Sequence, residues 1–280
     1  MNDFNLTDKV TIITGAGTGL GKAMALAVAK SGGSVVLAGR RNLPIEEVAD
    51  QIGKIGTPCI PIPTDVTDSK QVNILVQKSI NHFGQIDALI NNAGMVRDQG
   101  GVPIWEISDE DWESIINSNL TSAFYCSRAV AEDMAKRGSG KIINVSSGFG
   151  LRGGTHNYMY ASSKGGVIQL TRSLATSLGR FGLTSNCIVP GFFPTEGTSL
   201  SKERLPDPKF IPINRVGKPE EIGNLATFLI SEESDYMNGE LFVIDGGGLA
   251  GGYAPTGYGP LINLENPPKL YNHYIIKIIL

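Results

Sequence analysis

The sequence predicts an α/β protein: one doubly wound parallel sheet of about seven strands, with helices on both faces. Short apolar runs alternate with segments of helical periodicity along the first 250 residues. The runs are apolar throughout rather than at every second position, as in strands that are covered on both faces. No fixed-period repeat and no linker-like stretch divides this region, so residues 1–250 read as a single domain.

Residues 9–14 (KVTIIT) form the first expected strand, followed by a glycine-rich turn and a helix through 23–29. Residues 34–38 (SVVLA) supply the second strand and 45–55 a helix. The third strand, 59–62, is weaker because the prolines around it cannot donate to a ladder. A helix at 72–83 leads to the fourth strand at 86–90 (IDALI), and a long helix is expected over 109–136 with Ser108 as its N-cap. Strand five at 141–146, a helix at 157–181, strand six at 184–189, a helix at 219–230 and strand seven at 241–244 complete the series.

Two segments break the rhythm. Residues 192–214, rich in Pro, Ser and charge, follow a late strand where a substrate lid is expected. Residues 251–280 form a C-terminal extension that begins loop-like (GGYAPTGYGP) and ends apolar (YNHYIIKIIL). The sequence leaves open whether it packs on its own subunit, reaches a neighbour or stays unordered.

Composition narrows the function classes. The 280 residues carry a formal net charge of -3, with basic residues scattered, which argues against a nucleic-acid-binding surface. No apolar run approaches the ~18–20 residues of a membrane span, and residues 1–4 lack the features of a signal peptide. Cys59, Cys126 and Cys187 are isolated in apolar contexts, so a reducing cytoplasm is the expected compartment. His82, His156 and His273 are too dispersed to form a metal cluster.

Gly15, Gly17, Gly19 and Gly21 lie between the first strand and its helix, the context in which a backbone turn and a helix N-terminus can hold a pyrophosphate. Their spacing is G-x-x-x-G-x-G rather than the standard dinucleotide fingerprint. Where NAD sites usually carry an acid, roughly 20 residues on, this chain has Gly39, Arg40 and Arg41. A carboxylate would repel a 2′-phosphate and a guanidinium would pair with it, which favours NADP(H) over NAD(H).

Tyr160 and Lys164 stand one helical turn apart, with Ser147 thirteen positions upstream of the tyrosine. A phenol titrates near pH ~10, and a neighbouring cation can lower that by roughly 1–3 units, into the range useful for proton exchange. Tyr and Lys at this spacing also occur on ordinary solvated helices. Tyr158 is a rival base, but its residue one turn on is Ser162, which offers no cation.

With these residues placed, the chain resembles the short-chain dehydrogenase/reductase family over about residues 5–250. The resemblance rests on motifs in the family's order and spacing. They are TGAGTGLG at 14–21, DVTD at 65–68, NNAG at 91–94, Asn119 within NSNL, Ser147, Tyr160 with Lys164, and PGFFPT at 190–195. RVGKPEEI at 215–222 and the closing VIDGGG also fit. The chain resembles the branch that holds 3-oxoacyl-carrier-protein reductases and gluconate 5-dehydrogenase-like enzymes.

The resemblance implies a Rossmann-like fold and hydride transfer between NADP(H) and a ketone or secondary alcohol. Gly15, Gly17, Thr18, Gly19, Leu20 and Gly21 would hold the cofactor, with Gly39 and Arg40 at its ribose. Thr18 departs from the pattern, because many NADP-preferring members carry a basic residue there. Asp65 and Val66 would flank the adenine, and Asn92, Ala93 and Gly94 the ribose. Ile188 and Thr195 would meet the nicotinamide end, and Pro190 and Gly191 add cofactor contacts. Tyr160 would act as general acid or base, with Lys164 lowering its pKa and holding the ribose. Ser147, chosen over Ser146 by the interval to Tyr160, would stabilise the substrate oxygen, and Asn119 would support a water leading from Lys164. Met95, Phe149, Leu151, His156, Phe192 and Phe193 are expected around a partly apolar substrate; no basic cluster marks a docking site for an acyl-carrier protein or coenzyme A, and Arg97, Arg152 and Lys202 read either as isolated candidates for one or as solvated surface charges. A homo-oligomer, dimer or tetramer, is also implied. The alternative is a cofactor-binding sensor or scaffold without turnover, a class that often loses the catalytic set retained here.

Overall fold

The computed structural model describes residues 4–95, 102–195 and 210–251. Its strands are β1 (Val10–Thr14), β2 (Ser34–Gly39), β3 (Cys59–Pro63), β4 (Ala88–Asn91), β5 (Gly140–Val145), β6 (Leu183–Pro190) and β7 (Leu241–Ile244). They form one seven-stranded sheet in the order β3-β2-β1-β4-β5-β6-β7, with every pairing parallel. All seven expected strands are present. The fourth begins at Ala88, later than expected; just before it, Asp87 accepts the Val10 N–H on its carboxylate at 2.8 Å while its own N–H donates to Val10 O at 2.8 Å.

The helices are α1 (Gly19–Lys30), α2 (Asn42–Gly53), α3 (Ser69–Phe83), α4 (Asp109–Ile116), α5 (Ser122–Arg137), α6 (Tyr158–Leu178) and α7 (Pro219–Ile230). Ser108 caps α4, its hydroxyl accepting the Asp111 N–H at 3.1 Å. The long helix expected over 109–136 is divided by a π-helical turn at Asn117–Thr121. A wider turn of this kind shifts the angular register of α5 relative to α4 and is often found at functional sites.

Alternate residues of each strand enter opposite core layers. Ile13, Val35, Leu37, Ile90 and Val145 pack with α1, α2 and α7, whereas Ile12, Val36, Leu89 and Ile142 pack with α3 and α5. α6 covers β6 through Val167 and Ile168 against Cys187 and Val189. Gly223 lets α7 approach α1 closely, since a Cβ there would stand 2.8 Å from the Ala27 Cβ. Strand order reverses between β1 and β4, which opens a crevice at the carboxyl ends of these strands. Among the described residues, no helix is long and apolar enough to cross a membrane, and no group of three His, Cys, Asp or Glu side chains is placed to hold a metal ion.

Candidate active site

The glycine loop after β1 is built around two positions that exclude a side chain. Gly15 has φ of 66°, and a Cβ there would lie 3.0 Å from the Ala93 Cα. Gly21 lies in the first turn of α1, where a Cβ would collide with the Gly15 carbonyl oxygen and stand 2.6 Å from Asn92 Nδ2. Asn92 holds the loop by donating to Thr14 O at 2.9 Å and Gly15 O at 3.3 Å. Thr14 Oγ1 in turn accepts the N–H groups of Asn92 and Ala93, each at 3.0 Å. Thr195, beyond β6, reaches the same loop: its Cβ is 3.1 Å from the Cβ position of Gly19.

Thr18 precedes α1 without capping it, and no acidic side chain lies in the first turn. The leading N–H groups and the side-chain-free cradle therefore suit an anion brought close to the backbone, which fits the pyrophosphate of a dinucleotide. Gly39 ends β2, and Arg40 and Arg41 beside it are exposed. The Thr64 N–H donates to Gly39 O at 3.0 Å, bringing Asp65 and buried Val66 to the same end of the sheet. Asp65 Oδ1 accepts the Thr67 N–H at 3.0 Å and the Thr67 hydroxyl at 2.7 Å, so this carboxylate also shapes its own turn.

The catalytic candidates converge where β4 and β5 end. Ser146 is buried and donates its hydroxyl to Lys164 O at 2.8 Å, whereas half-buried Ser147 starts a short 3-10 turn, its Oγ accepting the Phe149 N–H at 3.3 Å. Ser146 is thus committed to holding α6, and Ser147 is the serine beside Tyr160. The Lys164 Nζ donates to Val145 O at 2.8 Å and lies 5.7 Å from the centre of the Tyr160 ring. Asn119 stands in the π-helical turn. Its Oδ1 accepts the Met95 N–H at 2.7 Å, and its Nδ2 donates to Met95 O and to Ser163 Oγ, each at 3.0 Å. The Ser163 hydroxyl continues to Tyr160 O at 2.8 Å. Gly94 fits between them: its Cβ position is 3.0 Å from Asn119 Oδ1 and 3.5 Å from Lys164 Nζ.

Electrostatics differ from the expectation in one respect. Burial raises the Tyr160 phenol above its ordinary value, and hydrogen bonding from Ser147 draws it only partly back. The Lys164 ammonium itself donates to the Val145 carbonyl. Burial also lowers Lys164 to about 8, against a smaller opposing effect of Cys187. The depressed lysine opposes folding fully below pH 8, and the opposition fades as pH rises from 8 to the unfolded value of 10.5. Denaturation of Lys164→Met beside wild type should therefore show the variant losing relative stability over that window, by roughly 3 kcal/mol at most. A difference that does not change with pH would show that Lys164 is not desolvated.

Around this group, the Phe149 ring stands edge-on to Tyr160 with centroids 6.4 Å apart, and the Arg152 guanidinium lies over Phe149 at 5.1 Å. Met95 and Phe192 are half-buried, and Leu151 and His156 are exposed. Phe193 departs from its expected place: it is 8% exposed within the core beside α1 and α7, below Gly217. Ile188 is wholly buried in the same core, and its carbonyl accepts the Ser146 N–H at 2.8 Å. Pro190 is buried, and the Gly191 N–H donates to Ile244 O at 2.9 Å. Arg97, Lys202, residues 196–209 of the expected lid and residues 252–280 of the extension lie outside the described residues. Ser163 and Thr14 join the site without having been singled out by sequence; a polar side chain ending an apolar strand was the available signal for Thr14.

Residues 9–205 match the family model described as short chain dehydrogenase. Over 258 residues the chain is 36% identical to 2-dehydro-3-deoxy-D-gluconate 5-dehydrogenase of Dickeya dadantii, covering 89% of this chain and 99% of that protein. It is 37% identical over 245 residues to a 3-oxoacyl-[acyl-carrier-protein] reductase of Synechocystis sp., covering 86% and 97% respectively. The crystal structure of a short-chain type dehydrogenase/reductase from Mycobacterium marinum superposes with a TM-score of 0.83 at 35% identity, covering 88% of this chain and 97% of the other.

Proposed function

Because the chain belongs to the short-chain dehydrogenase family, we propose that it is an NADP(H)-dependent oxidoreductase that interconverts a ketone and a secondary alcohol, of 3-oxoacyl or sugar-acid type. The catalytic unit in this reading is residues 1–250, with 192–214 as the substrate lid. The observation that carries it is the junction of Tyr160, Ser147, Lys164 and Asn119 beside the glycine loop, with Lys164 only 5% exposed.

When bound, the nicotinamide supplies or accepts the hydride. The protein's part is to hold the substrate oxygen and move one proton. Ser147 donates to that oxygen and stabilises its developing negative charge. Tyr160 gives its proton to the oxygen in reduction, and its phenolate takes the proton back in oxidation. Lys164, titrating at about 8, can exchange a proton near the phenol. Asn119 fixes the Met95 backbone against Ser163 and so sets the spacing between β4 and α6.

Arg40 supports the NADP(H) preference, since it is the exposed cation next to Gly39. Arg40→Ser should lower kcat/KM for NADPH by about tenfold to a hundredfold, the range of a charge-assisted hydrogen bond, while NADH kinetics hardly change. Wild-type preference for NADH would sink this assignment. The activity itself is tested by following NADPH consumption with ketones, keto sugar acids and 3-oxoacyl thioesters. Absence of turnover across all three classes would refute it.

A further inference from the structure

Tyr160 lies in the first turn of α6, which begins without a side-chain cap from Asn157 and follows His156 at φ of 56°. Uncapped helix ends fray. Behind this turn runs a buried polar chain. The Met95 N–H donates to Asn119 Oδ1 at 2.7 Å, and Asn119 Nδ2 donates to Ser163 Oγ at 3.0 Å. The Ser163 hydroxyl then donates to Tyr160 O at 2.8 Å. Asn119 and Ser163 are 2% and 0% exposed, so no solvent can replace either partner. The direction of each bond is set. Asn119 spends its amide hydrogens on Met95 O and Ser163 Oγ, which leaves the serine hydrogen for Tyr160. Packing supports the link. Gly166, one turn beyond Ser163, admits Leu120 of the π-helical turn, since a Cβ there would stand 2.6 Å from Leu120 Cδ2.

We propose that Ser163 is a positioning residue for Tyr160: its buried hydroxyl couples the π-helical turn to the Tyr160 backbone and so fixes the phenol against Ser147. The inference rests on the oxidoreductase reading of this site and adds a residue that acts only through Tyr160. It also gives the π-helical turn a purpose, because that turn presents Asn119 to Met95 and Ser163 at once. Loss of the hydroxyl leaves one Asn119 N–H without its acceptor and Tyr160 O without this donor. The phenol then loses its fixed place, while Ser147 and the glycine loop keep theirs.

Thr171 is a matched control on the same helix, about two turns further on. Its hydroxyl is equally buried, accepts from Asn144 Nδ2 and donates to Val167 O, each at 2.9 Å. The test compares wild type, Ser163→Ala, Ser163→Thr and Thr171→Val as full chains carbon-labelled at tyrosine Cζ. Tyr160→Phe assigns the Tyr160 resonance, and NADPH consumption is followed with ketones, keto sugar acids and 3-oxoacyl thioesters. Ser163→Ala should shift or broaden that resonance and lower kcat about tenfold, with KM and NADPH affinity nearly unchanged. This lies inside the ~100-fold that a misplacement of roughly 1 Å can cost. Ser163→Thr should restore both, because a threonine hydroxyl also reaches the carbonyl one turn back in a helix. Thr171→Val should melt earlier yet keep the wild-type resonance and kcat. If the alanine protein does not fold, Ser163→Cys, which fills the space with a weak hydrogen-bonding group, is read by the same criteria. An unmoved resonance, an unchanged kcat, or equal losses in Thr171→Val would each overturn the proposal. A moved resonance in a protein whose wild type turns over none of the three classes upholds the positioning and removes the oxidoreductase reading. Wild-type turnover with an unmoved resonance in the variant does the reverse.

Discussion

Tyr160→Phe should lower kcat by about a thousandfold, within the range that a positioned general acid contributes, while the protein keeps its fold and its affinity for NADPH. The expectation follows from what the hydroxyl does and does not hold. The backbone of Tyr160, not its phenol, takes part in the chain from Asn119 through Ser163. Removing the oxygen leaves the ring against Phe149 and leaves Lys164 on Val145. Thermal melts and cofactor titration should match wild type, so the lost rate can be assigned to chemistry. Retained turnover in the variant would show that another group moves the proton; a large drop in melting temperature would show that the phenol is structural.

Gly21→Ala should have the largest effect away from the reacting groups. Its new methyl meets the Gly15 carbonyl, which is backbone in a turn already fixed by Asn92 at 3.3 Å. No flexible side chain can give way. Overpacking of this kind destabilises by roughly 1–3 kcal/mol, and in a domain of this size that lowers Tm by about 2–10 °C. Displacement of the loop also moves the first N–H groups of α1, so NADPH affinity should fall by about tenfold or more even below the melting range. Calorimetry of binding and melting on one preparation checks both. Unchanged affinity would mean that the loop does not hold the cofactor.

Much of this architecture is legible because apolar continuity reports burial on both faces. The inner strands follow from it, whereas β3 and β7, at the sheet edges, are only partly buried and are read from their short apolar runs alone. The ends are less legible. α1 starts at Gly19 instead of Ala23, since glycines that read as a turn also serve as the first helical residues. The π-helical turn has no periodic signature: residues 109–136 are compatible with a continuous helix until Asn119 is drawn to Met95. Phe193 differs from expectation for a related reason. An aromatic residue after a strand looks like a pocket wall, and only the approach of Gly217 turns it into the core. Motif spacing groups Tyr160, Lys164 and Ser147, but it carries no information on desolvation, which decides the direction of both perturbed pKa values.

The all-parallel sheet also bears on how activity is acquired during folding. Parallel neighbours are joined by crossovers, so each of the six pairings closes a long stretch of chain before its contacts are gained. β1 lies beside β4 rather than between consecutive partners, and the glycine loop leans on Asn92 and Ala93 across that seam. The crevice therefore has no precursor in any short piece of chain. Folding must be nearly complete before a nucleotide has a place to bind, and a nascent chain released before β5 and α6 lacks Tyr160, the proposed proton donor, altogether.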